Sequence, residues 1–279
     1  MNSLYSYALR LSLPVDDIIF LNDNEIRNLD VISISNDNNF GFILTVDLEI
    51  PNALHDMLHK MPVAPERIFV SRDHLSPEKI KIYDNFEDCI SNPFKVEKLI
   101  LNLYNKKLYT VHYKTLQTYL RLGARVSKIH SLIRFVQRPI FRDHVDFVIY
   151  ERTLAKDELT KLIKKLQFNS SCDAFGRDKS KEVDVRLVIN PYDANKLLRK
   201  TFFKSFTIII KNTVLIEHVK TRIYLNRFPI TASAILDLGK SHMYEIFYNC
   251  LAKNFGPRIE LLMSDTDSFI CFVETNNFF

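Results

Sequence analysis

Residues 259–272 read IELLMSDTDSFICF, two acids one residue apart between two apolar runs rich in bulky side chains. Each run has the length of a strand and is short for a helix, so the stretch is predicted to fold as strand, turn, strand. In an extended chain, residues i and i+2 point to one face. Asp265 and Asp267 are therefore predicted to converge, with Thr266 turned away. Two crowded carboxylates are costly unless something positive compensates them. A divalent cation does so, and hard oxygen donors suit Mg²⁺ or Mn²⁺. On this reading the apolar flanks are the mount that holds the acids. The pair alone is not selective: solvated turn acids share it, and so do polymerases, glycosyltransferases and nucleases.

Strand-like and helix-like periods are mixed along the rest of the chain without βαβ regularity, which predicts an α+β fold. GFILTVDLEI (41–50) alternates as a strand, and Pro51 opens a short helix. The polar stretch from Ser71 to Pro93 reads as a surface excursion. KVEKLILNLYNKK (95–107) has helical apolar spacing, LYTVHY is β-like, and KTLQTYLRLG is a helix ended by Gly123. VSKIHSLIRFV returns to strand. From Asp143 to Ser171 the pattern is helical with a break near Thr153. VDVRLVI is a strand, and Asn190-Pro191 caps and opens the helix that follows. FTIIIKNTVLIEHV is a hairpin through Lys211-Asn212, and a long helix from Pro229 stops at Gly256-Pro257.

The 279 residues, 47% of them hydrophobic, suffice for one large domain or two modest ones. Only 5 glycines argue against a Gly-rich nucleotide cradle. No run of 18 apolar residues predicts a membrane span. Met1 is not followed by a secretory signal, and Cys89, Cys172, Cys250 and Cys271 lack CxxC spacing. These features predict an intracellular protein, nuclear or cytoplasmic, with reduced thiols. Net charge is +5, unevenly spread. Acids crowd the first fifty residues. Between Lys95 and Arg138 the cations Lys98, Lys106, Lys107, Lys114, Arg121, Arg125, Lys128 and Arg134 face only Glu97. Such a stripe suits a polyanion such as DNA, or is a solvated basic surface.

SDTDS behind an apolar strand and a long helix resembles the third palm motif of family B DNA polymerases. KKLQFNSS (164–171) resembles the finger motif of that family, a Lys followed after three residues by Asn-Ser. MNSLYSYAL at the start resembles the first palm motif, Asp-x-x-Ser-Leu-Tyr, with its Asp falling just before Met1. The three occur in the order of the family. VDLEIPNALHDMLHKMPVAPE, YTVHYKTLQTYLRLG, VDVRLV and KSHMYEIFYN resemble its protein-primed branch, found in viruses, linear plasmids and Polinton-type transposons. The likeness covers nearly the whole chain.

The resemblance implies a palm, an antiparallel sheet with packed helices, plus helical fingers and an inserted α/β segment. Its boundaries fall at 1–40 for the start of the palm, 41–138 for a basic insert handling terminal protein and DNA, 139–182 for the fingers and 183–279 for the palm with the DTDS hairpin. It implies template-directed DNA synthesis with two Mg²⁺ ions, or Mn²⁺, stabilising the attacking 3′-oxygen and the leaving pyrophosphate. Asp265 and Asp267 take the catalytic and metal-binding roles, and the Met1 carbonyl completes the shell. Tyr5 lies under the incoming sugar. Lys161 and Lys165 meet the triphosphate, and Asn169 supports them; the three share a helix face at i, i+4 and i+8. Lys106, Lys107, Arg121, Arg125 and Lys128 are the implied DNA contacts. The partners are a DNA primer-template, a dNTP and a terminal-protein hydroxyl.

The chain departs from the family pattern at three places. The first-motif Asp is missing, and exonuclease and thumb segments are expected to be absent, so the chain alone is expected to synthesise little DNA. After Asn169-Ser170 the family has one residue, then an aromatic and Gly. Here Ser171, Cys172 and Asp173 follow, and Asp173 would repel phosphate. Two other readings remain open: a non-enzymatic nucleic-acid-binding remnant, and a DxD glycosyltransferase, which would want a Rossmann-like pattern. His55 and His59 have zinc-like helical spacing but no third ligand. Phe202, Phe203 and Phe206 read as core.

Overall fold

The computed structural model describes residues 4–27, 30–35, 38–85, 97–224 and 226–275, without the side chains at 23, 27, 168, 169 and 171–173. Met1, Cys89 and Lys95 lie outside the described residues, as do the side chains of Asn169, Cys172 and Asp173. The chain divides into two compact units, Met1–Phe168 with Ser233–Phe279, and Asn169–Ala232.

The first unit begins with helix α1 (Leu4–Leu9), strand β1 (Leu13–Phe20) and a short helix α2 (Asp23–Arg27). Strand β2 (Phe40–Glu49) is followed by a 3₁₀ turn and α3 (His55–Leu58), then β3 (Glu66–Phe69), α4 (Pro77–Asn85), β4 (Glu97–Ile100), β5 (Lys106–His112), α5 (Tyr113–Arg121) and β6 (Arg125–Arg138). Helices α6 (Arg142–Leu154) and α7 (Glu158–Gly176) come next, broken next to Thr153 as the sequence predicts. The central sheet has the order β1-β6-β2-β5, every neighbour antiparallel. Phe42, Leu44, Val46 and Leu48 of β2 are buried on one face, the period of two that its sequence carries. Tyr113, Leu116 and Tyr119 of α5 pack into the same core. Gly123 ends α5 at φ +102°, and a Cβ there would stand 2.8 Å from Leu54 Cδ1.

Segment 41–138 supplies β2, β5 and β6 of this sheet, so the compact units follow different boundaries from the four sequence segments. One element corrects the sequence reading, and another, β1, is not foreseen by it. Residues 97–100 form strand β4, paired with β3, where the spacing of 95–107 predicts a helix; a cross-strand partner overrides the local period of a short apolar run. Strand β1 has no alternating signature because it is an edge. Pro14, Asp16 and a left-handed Asp17 (φ +51°) break its register against β6 twice, the devices that keep an edge from pairing further.

The second unit holds β7 (Val183–Val188), α8 (Pro191–Leu198), β8 (Phe203–Ile210) and β9 (Thr213–Val219), in an antiparallel sheet of order β7-β9-β8. The Asn190 side chain accepts the Tyr192 N–H at 2.9 Å and Pro191 opens α8, as predicted. Phe202 packs edge-on against His218, but Phe206 is exposed, so it is not core. Helix α9 (Pro229–Glu245) crosses the unit boundary and continues as a π-helical segment, Ile246–Ala252, before strands β10 (Ile259–Asp265) and β11 (Ser268–Val273) close the first unit. Among the described residues no helix is long and apolar enough to cross a membrane.

Candidate active site

β10 and β11 pair antiparallel from Ile259↔Val273 to Asp265↔Ser268, leaving Thr266 and Asp267 as a two-residue turn. Thr266 sits at φ +44°, a conformation that costs a β-branched residue free energy and so needs support. Support comes from the turn itself. The Asp267 N–H donates to the Asp265 carbonyl, closing a γ-turn around Thr266. Ser268 Oγ donates to the same carbonyl at 3.1 Å, and Thr266 Oγ1 donates to Asp265 Oδ1 at 3.2 Å. The strand pleat therefore does not place both acids, contrary to the i, i+2 argument. Asp265 ends β10, Asp267 belongs to the turn, and both are exposed.

The base of this hairpin is fixed more firmly than its tip. Lys60 Nζ donates to the Ile259 carbonyl at 2.7 Å and to the Gly256 carbonyl at 3.4 Å. The Glu274 N–H reaches the Arg258 carbonyl at 2.9 Å. Nearer the tip, Phe247 of the π segment meets Phe269, the partner of Ser264, edge to face, ring centroids 5.8 Å apart. Tyr244 and Tyr248 donate to the Pro62 and Met61 carbonyls at 2.9 and 2.7 Å, tying α9 and the π segment to the loop after α3. Asp237 of α9 accepts the His112 N–H at 2.9 Å, and burial pushes its carboxyl above the usual range. Lys60 and Asp237 escape sequence reasoning, since their partners lie 199 and 125 residues away.

Tyr5 and Thr266, the residue between the two acids, border one apolar cleft of about 450 Å³, lined also by Met61, Leu99, Gly239, Lys240 and Ser264. Leu4 of α1 lies against Gly239, where a Cβ would meet it at 3.2 Å, so a glycine lets α1 seat on α9 and brings Tyr5 to this cleft. Lys161 and Lys165 stand on the continuous helix α7, which also carries the backbone of Asn169. Lys161 pairs with Glu158 at 2.8 Å and Lys165 is exposed. Among the described residues no hydrogen bond or ion pair joins either lysine to Asp265 or Asp267.

The basic stripe loses one member. Lys106 is fully buried, with Nζ 2.7 Å from Glu66 Oε1 and bonded to Asn102, so it cannot meet DNA. A buried ammonium persists only when paired in this way. Lys107, Arg121, Arg125 and Lys128 are exposed. Lys107 and Leu108 form a bulge opposite Asp47, with Leu108 at φ +51°. Asp47 accepts the Leu108 N–H at 3.0 Å and lies 2.9 Å from His130 Nε2. The Leu108 N–H, with the hydrogen bond and charge of His130 and the charge of Lys107, holds the Asp47 carboxyl down at about 2 against the cost of burial. The His55 and His59 rings contact the backbone carbonyls of Ile50 and Asp56 instead of converging. Among the described residues no group of three or more His, Cys, Asp or Glu could hold a metal. The exposed pair Asp265 and Asp267 offers two hard carboxylates, which fits the incomplete protein shell that Mg²⁺ accepts when substrate phosphates supply the rest.

No family model matches the chain, and no curated protein matches it. Solved structures do. Phi29 DNA polymerase in an orthorhombic crystal form matches at 13% identity and TM-score 0.52, over 99% of this chain and 38% of that one. Phi29 DNA polymerase complexed with primer-template DNA and incoming nucleotide substrates matches at 14% identity and TM-score 0.54, over the same shares. The chain thus spans 38% of the length of the structures it matches. Its antiparallel sheets and packed helices form an α+β fold shared with part of a DNA polymerase.

Proposed function

We propose that this chain is the palm-and-fingers part of a protein-primed family B DNA polymerase, with Asp265 and Asp267 at the centre of nucleotidyl transfer. One observation carries the reading: Thr266, between the two acids on a tight turn, lines the same cleft as Tyr5, in a polymerase-like fold. The carboxylates of Asp265 and Asp267 would hold Mg²⁺ or Mn²⁺ together with phosphate oxygens of the nucleotide. Bound there, the metal supplies Lewis-acid stabilisation of charge on the phosphoryl oxygens. The Tyr5 ring bounds the cleft next to the turn and would lie under the incoming sugar, leaving no room for a 2′-hydroxyl. Lys161 and Lys165 offer ammonium groups to the triphosphate, and Asn169 continues their helix face. Lys107, Arg121, Arg125 and Lys128 neutralise template-primer phosphates. The attacking hydroxyl belongs to a primer 3′ end or, at initiation, to a terminal protein. A glycosyltransferase of Rossmann type is disfavoured, since every strand pair described is antiparallel.

Mn²⁺ titration followed by electron paramagnetic resonance tests the reading. The wild type should bind Mn²⁺ saturably and more tightly with dNTP present, and Asp265→Asn or Asp267→Asn should weaken binding at least about tenfold. Binding indifferent to both substitutions would remove the acids from the mechanism. Primer-template affinity should fall steeply with salt, and Lys128→Ala should lower the slope of log K against log salt by about 1. If DNA binding stands while the acids bind neither metal nor nucleotide, the chain is a DNA-binding remnant without chemistry.

A further inference from the structure

A second cavity of the first unit, of about 220 Å³, lies along the opposite strip of α9 from the acidic turn. It takes Leu238, Ser241 and Glu245 from α9, whereas the Tyr5 cleft takes Leu236, Gly239, Lys240 and Met243. At about 100° per residue the two sets face opposite ways. Lys114 and Arg121 enter it from α5 at i and i+7, on one helix face, and Arg142 enters from the first turn of α6. Three cations thus face one acid, Glu245, across a small polar space. Among the described residues neither Arg121 nor Arg142 has a carboxylate within 4 Å, so Glu245 does not neutralise them. Arg142 donates through Nε to the Arg10 carbonyl at 3.2 Å, a bond that orients the guanidinium. Two other polar wall groups, Gln117 and Ser241, are committed to structure. Gln117 Nε2 donates to the Val31 and Ile34 carbonyls, and Ser241 Oγ is 2.6 Å from Thr118 Oγ1. Tyr7, stacked on His242 at 3.7 Å, forms a flat side.

We propose that this cavity is an anion site for a phosphate group, separate from the Asp265–Asp267 turn. Forked guanidinium donors match phosphate oxygens in geometry and charge. The volume falls below the ~300–1,000 Å³ of pockets for drug-sized ligands, so the ligand is compact: free pyrophosphate, or the 5′-phosphate at the end of a strand. The site does not depend on the polymerase reading: it shares only Arg121 with the proposed DNA contacts, and its chemistry needs no metal.

Isothermal titration in EDTA at low salt tests it with three probes: inorganic pyrophosphate, (dT)₈ with a 5′-phosphate and (dT)₈ with a 5′-hydroxyl. Pyrophosphate should bind the wild type saturably, Arg142→Ala should weaken it about tenfold, and Glu245→Gln should strengthen it about threefold. The gain in Glu245→Gln keeps the test decisive if Arg142→Ala folds poorly. Asp265→Asn should change nothing here. A preference for the phosphorylated strand over its hydroxyl form, lost in Arg142→Ala, assigns the site to strand ends; tighter binding of pyrophosphate than of either strand assigns it to the free anion. No pyrophosphate binding by the wild type, an unchanged affinity in both cavity variants, or a loss in Asp265→Asn would overturn the proposal.

Discussion

The central sheet and the β10–β11 hairpin are both antiparallel and both rich in apolar residues, yet they spend that apolar content differently. In β2 the even-numbered residues from Phe42 to Leu48 are buried, and two neighbouring strands and α5 cover them. In the hairpin Ile259 is 1% exposed at the base, while Leu262 near the tip is 60% exposed. Hydrophobic sequence sets where a strand can be; neighbours decide whether it is held. The hairpin is secured at its root by Lys60, touched nearer its tip by Phe247 through Phe269, and left open where its acids stand. On the proposed function a turn that admits metal and phosphate would stay uncovered, so anchoring and chemistry would be divided along its length.

Paired truncations put the largest strain on this contrast. Leu44→Ala should destabilise the protein by about 3 kcal/mol, from lost burial and a cavity, whereas Leu262→Ala should stay within about 0.5 kcal/mol. Urea denaturation measures both, and equal losses would erase the distinction. Lys60→Met comes next. It removes a charged donor from the Ile259 carbonyl and should cost about 2 kcal/mol. Amide exchange should quicken in β10 and β11 and hardly change in β2 and β6; uniform quickening would mean the hairpin has no separate root. Leu108→Gly works in the opposite direction. The side chain is exposed and its backbone left-handed, so glycine should stabilise the sheet by about 1 kcal/mol, read as a rise in melting temperature.

The smallest effect is a matter of pH. The Asp47 carboxyl is held at about 2 in the fold, below its ordinary value near 4, so its contribution is complete at neutral pH. It fades as pH falls from about 4 through 2. The stability difference between wild type and Asp47→Asn should therefore be constant above pH 5 and shrink across that window. A difference that survives unchanged at pH 2 would detach it from ionisation of Asp47.

Elements whose signals are local could be read in the sequence: β2 from alternation, α5 with its Gly123 stop, the Asn190-Pro191 cap, and the two strands around Asp265 and Asp267. What escaped depends on distant partners. The 97–100 run is a strand because β3 is beside it, and Lys106 is buried because Glu66, 40 residues earlier, meets its ammonium. Phe206 looks apolar enough for a core and lacks a cover. At the candidate site the sequence singles out the acids and Tyr5, but not the left-handed backbone at Thr266, since a β-branched residue is the last choice for it. Nor could a linear reading bring Met61 and Leu99 to the same cleft as Tyr5.

The π segment at Ile246–Ala252 leaves slack in the thread just ahead of the acidic turn. A π turn carries one residue more than the α turn it replaces, and each helical residue advances the chain by about 100°. Deleting a single residue there would tighten the coil and swing the hairpin around by roughly a quarter-revolution. The aim of the two acids is thus encoded in a surplus of one residue, a dial that insertions and deletions can turn and that point substitutions cannot.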